Sequence, residues 1–582
     1  MKKSFSVIEI ILAVFIFTIF STAALIGVLG GLNLSQKGGE FTIASQYAIE
    51  GIEAVRSIKN RGFSNLVNTS STGLAKVSGV WQFSGTNNVF DKYTRYIAIA
   101  DVYRDSFGNI VDSGGTLDPL SKKIVSTVSW PVGPSINQTI SYITYLTDWK
   151  RPFEKGGILV FGNGGTTSDV MVYRLFDGSS WGASLSTADV DPSTTNKAAR
   201  AIRVFASKTR NEKILVSRHY NGSNQFIYAQ VFNGTSWGNV ILLSSWSSTS
   251  YLNVLNFDGA YLQNGDFMVV YSDNTTTPKF RIWNGSSWSA AISMVALSGV
   301  PLHIEIENRP SSNEVMAVFL DTALDTNTEY FNGGAYLSSN WTKVNHGLDA
   351  PAANRKIVDF KWASDGLTGA LVFTNSTTDK TIRGRIFVAN GSGSGRWGSV
   401  VALSSSQTNN VGGLLMTPRP SANEFLVCDK DTATTPSIIC QRLTFSGTTP
   451  SWSTPTNNVI GTTDAGIQLS FDLIYDKASG KALIVYSDNT AIPKYKIYDP
   501  QTNTITPTAT AISTSPYTLS SPVRTVKLTL SPISSTIMAF FSDNARSNYS
   551  SLYTGSFSSF TQHGTNGSAV NDYWYDFIWD QN

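Results

Sequence analysis

Cysteine and histidine are scarce in this sequence. Its 582 residues include two cysteines and four histidines. Two cysteines are too few for a disulfide-rich scaffold or a cysteine-based zinc cluster. The histidines are far apart and lack the spacing of metal ligands; they are His219, His303, His346 and His563. We therefore expect no metal centre and no cofactor.

Charged residues are also few, at 15% of the chain, whereas about a quarter is usual. The formal net charge is +3, from 44 basic and 41 acidic residues. That balance excludes the basic stripe of a nucleic-acid-binding protein. Aromatic residues reach 12%, and disordered chains lack such residues. The composition indicates a β-rich extracellular protein with many polar turns and no nucleic-acid partner.

Catalytic motifs are missing as well. The sequence has no Gly-rich phosphate loop, no H-E-x-x-H and no recognisable Ser–His–Asp pattern. Asp273, Asp488 and Asp543 recur in polar loops and have the chemistry of calcium ligands. Single acids in such loops usually form turns, and we interpret them so. We expect no catalytic residues and no enzyme activity.

The N-terminus carries a long apolar run. No charged residue stands between Ile10 and Ser35. At about 1.5 Å per helical residue, the run is long enough to span the roughly 30 Å hydrocarbon core of a membrane. Lys2 and Lys3 precede it and favour a start on the cytoplasmic side. We predict one transmembrane segment over residues 10–34.

Glu9 stands at the edge of this run, where a carboxylate is costly to bury and needs a partner. The short basic leader, the small Ser4, then Phe5 and the spaced Glu9 resemble the N-terminus of bacterial type IV pilins and type II secretion pseudopilins. The resemblance implies that prepilin peptidase removes residues 1–4 and that Phe5 becomes an N-methylated terminus. It also implies that Glu9 pairs with the N-terminal amine of a neighbouring subunit. Ser4 departs from the family, which usually has Gly there.

The resemblance has consequences for localisation and partners. It implies a single-pass protein of the bacterial cytoplasmic membrane that later moves to the cell surface in an extracellular filament. Its partners would be prepilin peptidase and other pilin subunits, which the N-terminal helix contacts. The alternative is a plain transmembrane anchor in which Glu9 is incidental.

The next segment has the pattern of a pilin body. Apolar residues recur every three or four positions from Gln46 to Arg61, which predicts an amphipathic continuation of a helix over residues 5–62. The period then changes to two in Tyr93 to Asp105, Lys123 to Trp130 and Thr139 to Leu146. We predict a small antiparallel sheet within residues 63–150, and the combination resembles the α+β pilin fold.

Residues 151–582 contain a repeat. Tryptophan recurs after Asn-Gly or similar turns, and successive tryptophans are 56, 51, 53, 56 and 55 residues apart. They are Trp181, Trp237, Trp288, Trp341, Trp397 and Trp452. A fixed period near 50 with alternating apolar strands predicts an all-β propeller. We predict eight blades, with Ile505 and Phe560 in place of Trp in the last two; seven blades is the alternative.

The C-terminal strand 575–580 resembles the strands that precede other hairpins, and the first hairpin lacks such a strand. We expect it to complete the first blade and close the ring. The six tryptophans are interpreted as packing between blades, with a sugar-binding ring as the alternative. Cys428 and Cys440 flank one hairpin loop. They would form a disulfide outside the cytoplasm or remain free thiols on opposite faces.

Three functions are compatible with these features. The first is a minor or tip type IV pilin-like protein that presents a propeller for adhesion to, or binding of, a surface glycan or protein. The second is a structural pseudopilin of a type II secretion or DNA-uptake system. The third is a filament-displayed glycan-active enzyme, which the lack of catalytic motifs disfavours.

Overall fold

A computed structural model of the chain describes residues 6–105, 109–112, 115–133, 136–147, 155–163, 169–193, 197–347, 355–374, 380–403, 409–463, 466, 468–517, 519, 521–565 and 573–581. The chain divides into two compact units, Met1–Pro152 and Phe153–Asn582. Ser4, Phe5 and the rest of the expected leader lie outside the described residues.

The first unit begins with one long helix, Val7–Arg61. Ser6 caps it, because its hydroxyl accepts a hydrogen bond from the backbone N–H of Ile8 at 3.3 Å. The helix is long and apolar enough to cross a membrane. Large apolar side chains of its first half are exposed within the unit, as with Phe17 at 72% and Phe20 at 71%. Buried residues begin at Ala44.

The second half of the helix packs on a six-stranded antiparallel sheet. Its main path joins Thr69–Thr72, Tyr93–Arg104, Thr116–Gly133 and Ile136–Thr147, with Asn88–Phe90 and Ile110–Val111 paired to the second of these. A separate hairpin pairs Leu74–Val77 with Val80–Phe83, and a short 3-10 helix spans Phe63–Asn65. The core between helix and sheet is built from Ile52, Val55, Ile58, Ile97 and Ile124.

The second unit is an eight-bladed β-propeller in the described residues, which confirms the predicted fold class and excludes seven blades. From the axis outward, blade 1 contains Tyr575–Trp579, Gly157–Phe161, Val172–Phe176 and Leu185–Ser186; blade 2 contains Ala198–Ala206, Lys213–Tyr220, Asn224–Phe232 and Trp237–Ser247; blade 3 contains Phe257–Tyr261, Phe267–Tyr271, Lys279–Trp283 and Ile292–Ser293; blade 4 contains Pro301–Asn308, Val315–Asp321, Thr326–Phe331 and Trp341–Asn345.

The remaining four blades follow the same order. Blade 5 contains Val358–Trp362, Thr368–Phe373, Arg383–Ala389, Gly395–Trp397 and Val401–Ala402; blade 6 contains Val411–Pro418, Glu424–Asp431, Ser437–Ser446, Thr449–Ser453 and Val459–Thr462; blade 7 contains Phe471–Tyr475, Ala482–Tyr486, Lys494–Asp499, Thr504–Ile505 and Thr510–Ala511; blade 8 contains Val523–Leu530, Ile537–Asp543, Ser547–Tyr553 and Thr561–Thr565. A second 3-10 helix, Ser338–Asn340, precedes the outer strand of blade 4.

The C-terminal strand Tyr575–Trp579 is the inner strand of blade 1. It pairs antiparallel with Gly157–Phe161, with Ile578 opposite Ile158. Each blade's inner strand packs beside the inner strands of its two neighbours, and this ring of contacts closes between blades 8 and 1. The last strand therefore satisfies the inner edge of blade 1.

The repeated tryptophans lie at the boundaries between blades. Trp181 packs on His563 of blade 8, with ring centroids 4.5 Å apart, and Trp397 packs on His346 of blade 4 at 4.7 Å. Trp341 packs on Phe280 of blade 3 at 5.7 Å. Trp237 packs on Tyr173 of blade 1, Trp452 donates its Nε1–H to the carbonyl of Val401 in blade 5, and Trp288 packs against a cluster drawn mainly from blades 2 and 3. Glycines with positive φ form the turns before several of them; these are Gly178, Gly234 and Gly285.

Two blades lack the tryptophan, and the structure corrects one of the two predicted substitutes. Ile505 is buried opposite Tyr498 in blade 7, where Trp would pair. In blade 8 the residue in this position is Phe557, which bridges to Tyr553, and not Phe560. The turn of blade 8 is one residue shorter than Phe176 to Trp181, so the equivalent position comes earlier in the chain.

Cys428 and Cys440 form a disulfide within blade 6. They stand directly opposite each other on the second and third strands, with Cα atoms 4.1 Å apart. Both are fully buried in a core cluster that includes Leu426 and Phe471. The bridge therefore crosslinks neighbouring strands inside the blade.

Candidate functional site

The propeller's central channel is built from two alternating kinds of inner strand. The inner strands of blades 1, 3, 5 and 7 are five residues long and carry aspartate at the second position; these residues are Asp576, Asp258, Asp359 and Asp472. Those of blades 2, 4, 6 and 8 are longer and contain a bulge near their start. The structural repeat is therefore a pair of blades.

Each aspartate fastens its blade to the next one. Asp576 accepts a hydrogen bond from the backbone N–H of Val204 at 2.9 Å, and Asp258 accepts one from Ile306 at 3.0 Å. Asp359 and Asp472 accept equivalent bonds, each at 2.7 Å, from Met416 and Leu528. Hydrogen bonds to a carboxylate are stronger than neutral ones. We call these four aspartate-to-backbone hydrogen bonds the clasps. They join the blades in pairs around the channel.

Basic and acidic side chains face each other within the channel. Lys361 pairs with Glu305 at 2.7 Å and also with Glu307. Lys356 reaches Glu305 at 3.5 Å and Asp359 at 3.4 Å. These groups come from blades 4 and 5 and from the segment between them. They form a wall of three carboxylates and two lysines.

A second set of charges lies near blades 1 and 2. Arg203 stands 3.3 Å from Asp258 and 3.7 Å from Asp576. Lys527 of blade 8 donates to the carbonyl of Tyr575 at 2.8 Å and lies 3.5 Å from Asp576. Charges from blades 8, 1, 2 and 3 therefore meet around Asp576.

A pocket of about 350 Å³ opens in the channel between these two sets. Four cations, Arg203, Lys356, Lys361 and Lys527, and two carboxylates, Asp472 and Asp576, are part of its lining. Apolar walls come from Phe205, Leu469, Phe540, Tyr573 and Phe577. Lys356, Leu469 and Tyr573 precede inner strands, so the pocket reaches the end of the channel where those strands begin. Its size falls within the range of about 300–1,000 Å³ that is usual for small-ligand sites.

Enclosure in the channel shifts the ionisation of its acids. Removal from bulk water raises the pKa of Asp258 to about 6, although the neighbouring Arg203 opposes this change. The same cause raises the pKa of Asp472 to about 6. Burial lowers the pKa of His303 to about 3, so this imidazole is neutral. Below pH 6 the channel therefore loses negative charge while its lysines and Arg203 keep theirs.

The site residues predicted from sequence occupy other places. Glu9 lies in the first turn of the long helix, where its carboxylate accepts the Ser6 N–H at 3.0 Å. The tryptophans lie between blades, and the cysteines lie inside blade 6. The loop aspartates act in turns, as expected: Asp273 accepts from Thr275 and Asp543 from Ser547. Among the described residues, no cluster of three or more potential metal ligands occurs.

The charged channel was not predicted from the sequence. A signal for it exists, because the segments YDFIW, VDFKW and FDLIY, already recognisable as related inner strands, share aspartate at the second position. When strands are recognised by alternating apolar residues, an aspartate at such a position is interpreted as a polar residue that faces outward. Only closure of the ring places these side chains together.

Comparison with known proteins gives distant structural similarities and no family. No protein-family model and no curated protein matches the sequence. Among solved structures, the chain is similar to the Dos1 propeller, with 9% identity, 72% of this chain and 97% of that chain covered, and a TM-score of 0.40. It is also similar to a periplasmic gluconolactonase of Pseudomonas aeruginosa (11% identity, 62% and 95% covered, TM-score 0.36) and to a lectin of Aleuria aurantia in complex with Fucα1-6GlcNAc (12%, 55% and 99%, 0.33).

Proposed function

We propose that the protein is a minor or tip type IV pilin-like subunit that presents a ligand-binding propeller at the bacterial cell surface. In this proposal the N-terminal helix first anchors the chain in the cytoplasmic membrane and then packs against other subunits in a filament. The propeller binds a surface glycan or protein and so mediates attachment. The observation that carries the proposal is the exposed apolar half-helix with Glu9 at its start.

The distribution of side chains along the helix supports this assignment. After Glu9, the next acidic residue is Glu40, and the apolar residues between them are exposed within the unit. An apolar surface of that size must be shielded from water, and a bilayer or neighbouring helices can shield it. From Ala44 onward one face is buried against the sheet. The first half of the helix thus suits an apolar environment, and the second half packs against the sheet of the first unit.

Glu9 supports filament assembly more than simple anchoring. Within the described part of the chain, its carboxylate accepts a hydrogen bond from the N–H of Ser6. A carboxylate at the edge of a bilayer or helical bundle gains most from a cation. Cleavage between Ser4 and Phe5 by prepilin peptidase would give each subunit a cationic amine four residues before its own Glu9. The amine of a neighbouring subunit is then the proposed partner.

The test uses cells that produce the full-length chain, Glu9→Ala or Glu53→Ala. Glu53 is the matched control, because it lies on the same helix, is 57% exposed and pairs with Arg56. We expect a mature protein that starts at Phe5, by mass spectrometry of the chain. We also expect at least a tenfold loss of the Glu9→Ala protein from the sheared surface fraction, and a parallel loss of attachment.

Other outcomes separate the alternatives. A chain that retains Met1, or Glu9→Ala protein that is sheared off in normal amounts, would contradict the pilin assignment and leave a plain anchor. Normal attachment of cells lacking the protein, combined with loss of secretion or DNA uptake, would favour a structural pseudopilin. Turnover of a glycan by the full-length protein would favour the displayed enzyme.

A further inference from the structure

We propose that the channel pocket binds a sugar acid, with Arg203 and Lys356 holding its carboxylate. The inference rests on the ligand-binding role proposed above and names the class of ligand. Its basis is the juxtaposition, in one cavity, of two cations whose ion-pair contacts are long, two carboxylates that accept backbone hydrogen bonds, and aromatic walls.

The charges that face the cavity are mainly positive. Four cations but only two carboxylates belong to its lining, whereas the other acids, Glu305, Glu307, Asp258 and Asp359, are not part of the lining and pair with these cations. An ion in the cavity therefore meets donors first. This arrangement favours an anionic group over a cation.

Arg203 and Lys356 retain the capacity to donate. The charged partners of Arg203 lie at 3.3 and 3.7 Å, and those of Lys356 lie at 3.4 and 3.5 Å. Strong charge-assisted bonds are about 2.7–2.9 Å long, so these contacts are long. Their side chains are 33% and 15% exposed. A ligand carboxylate that enters the cavity would accept short hydrogen bonds from both Arg203 and Lys356.

The two acids of the pocket suit hydroxyl groups. Asp472 accepts N–H bonds from Leu473 at 2.8 Å and from Leu528 at 2.7 Å, and Asp576 accepts one from Val204 at 2.9 Å. The backbone thus fixes both carboxylates in place. Each carboxylate has about four lone-pair sites, so further hydrogen bonds from a ligand's hydroxyl groups can be accepted.

The apolar walls favour a sugar acid over a small inorganic anion. Phe205, Phe540, Tyr573 and Phe577 line the cavity together with Leu469. A pyranose ring has apolar C–H faces that pack against such side chains, while its hydroxyl groups meet the carboxylates. A cavity of about 350 Å³ is much larger than one small anion requires. Carboxylate, hydroxyl groups and apolar faces together describe a uronic acid.

The experiment is calorimetric titration of the full-length protein in detergent micelles with four probes: D-glucuronate, D-galacturonate, D-glucose and malonate. We expect at least one uronate to bind at least tenfold more tightly than both glucose and malonate. Equal binding of malonate would overturn the sugar part of the inference. Absence of uronate binding, or equal binding of glucose, would overturn it entirely.

Two variants test whether the ligand contacts Lys356. Lys356→Gln removes one cation while Lys361 continues to pair with Glu305 at 2.7 Å; we expect at least tenfold weaker binding of the preferred uronate. Lys481→Gln is the matched control, because Lys481 is 46% exposed and pairs with Asp499 outside the channel; its binding should be unchanged. Unchanged binding by a folded Lys356→Gln protein would contradict the placement.

Folding is checked by circular dichroism of each variant. If Lys356→Gln does not fold, Arg203→Lys replaces it, and unchanged uronate affinity in that protein overturns the placement. The result is separable from the assembly test. A protein that reaches the filament and supports attachment but binds no uronate contradicts this inference alone.

Discussion

Glu329 is a carboxylic acid at a position where blade 2 has an amide. Gln230 in blade 2 accepts a hydrogen bond from the N–H of Ala188 at 3.2 Å, and Glu329 in blade 4 accepts one from Val295 at 3.1 Å. Both link the third strand of their blade to the preceding blade. Glu329 is fully buried, and burial raises its pKa from 4.5 to about 8. At neutral pH it is therefore protonated and resembles the glutamine.

Replacement of this acid should change how stability depends on pH. In the folded protein Glu329 keeps its proton up to about pH 8, whereas in the unfolded chain it loses it near pH 4.5. Between these values the folded state binds more protons, so the free energy of unfolding falls as pH rises, by at most about 1.4 kcal/mol per pH unit from this group. We expect Glu329→Gln to reduce this fall, as measured by urea unfolding at pH 5.5 and 7.5.

The control for this measurement is Glu53→Gln, which removes an exposed acid from the helix of the other unit. Its unfolding free energy should follow that of the unmodified protein at both pH values. If Glu329→Gln and the unmodified protein keep a constant difference between pH 5.5 and 7.5, Glu329 does not carry its proton in the folded state.

At the scale of the element, the strand Tyr575–Trp579 closes the propeller ring as the inner strand of blade 1. Tyr575, Phe577 and Trp579 are buried in a cluster that also contains Phe540 of blade 8. Gly157 lies opposite, and a Cβ there would stand 2.3 Å from the ring of Phe577. The strand therefore contributes aromatic packing as well as backbone pairing to blade 1.

Removal of this strand should prevent stable closure. Burial of one large apolar side chain is worth about 1.5–3 kcal/mol, and three of them approach the net stability of about 5–15 kcal/mol of a domain. We expect a chain that ends at residue 572 to lose cooperative unfolding and resistance to protease. A chain that ends at Asp580 keeps the strand and should unfold like the full chain. Equal protease resistance of both truncated chains would contradict this role.

At the scale of the whole molecule, the chain has two units with separate cores. The helix and sheet of the first unit share two clusters of buried residues, and the disulfide lies in the core of the second unit. Stabilisation from the disulfide should therefore appear in one unit only. A crosslink that spans 12 residues is worth about 3 kcal/mol through its effect on the unfolded chain.

We expect the double variant Cys428→Ala/Cys440→Ala to lower the unfolding temperature of the propeller and leave that of the first unit unchanged. Differential scanning calorimetry of the full-length protein in micelles measures both transitions. Addition of a reductant serves as the control, since it should destabilise the unmodified propeller and have no effect on the double variant. A shift of both transitions, or of neither, would contradict this account.

Local patterns in the sequence were sufficient to predict the blade number and the closing strand. Asn-Gly turns, alternating strands and a period near 50 are set by neighbouring residues, and each recurs often enough to be recognised. Phe560 was assigned wrongly, because the sequence period does not show which of the two nearby phenylalanines bridges to Tyr553; that residue is Phe557. Short polar strands such as Thr69–Thr72 were missed, because their residues do not alternate in hydrophobicity.

The channel was not predictable in the same way. Arg203 and Asp576 meet although 373 residues separate them, and Glu329 receives its hydrogen bond from Val295 of another blade. Such contacts depend on the ring as a whole and on side-chain direction, which no short window of sequence contains. The repeated aspartate of the inner strands is a local sign of the clasps, but its partners are backbone groups with no sequence pattern of their own.

The pairing of Tyr575–Trp579 with Gly157–Phe161 joins residues 414 to 422 positions apart. On the ribosome, the inner edge of Gly157–Phe161 therefore stays unpaired until translation has reached Tyr575–Trp579. Contacts of such high sequence separation slow folding, and an open edge can meanwhile pair with another chain. Completion of the ring is thus a late event in the life of each molecule, and a nascent chain released too early would be a substrate for proteolysis or aggregation.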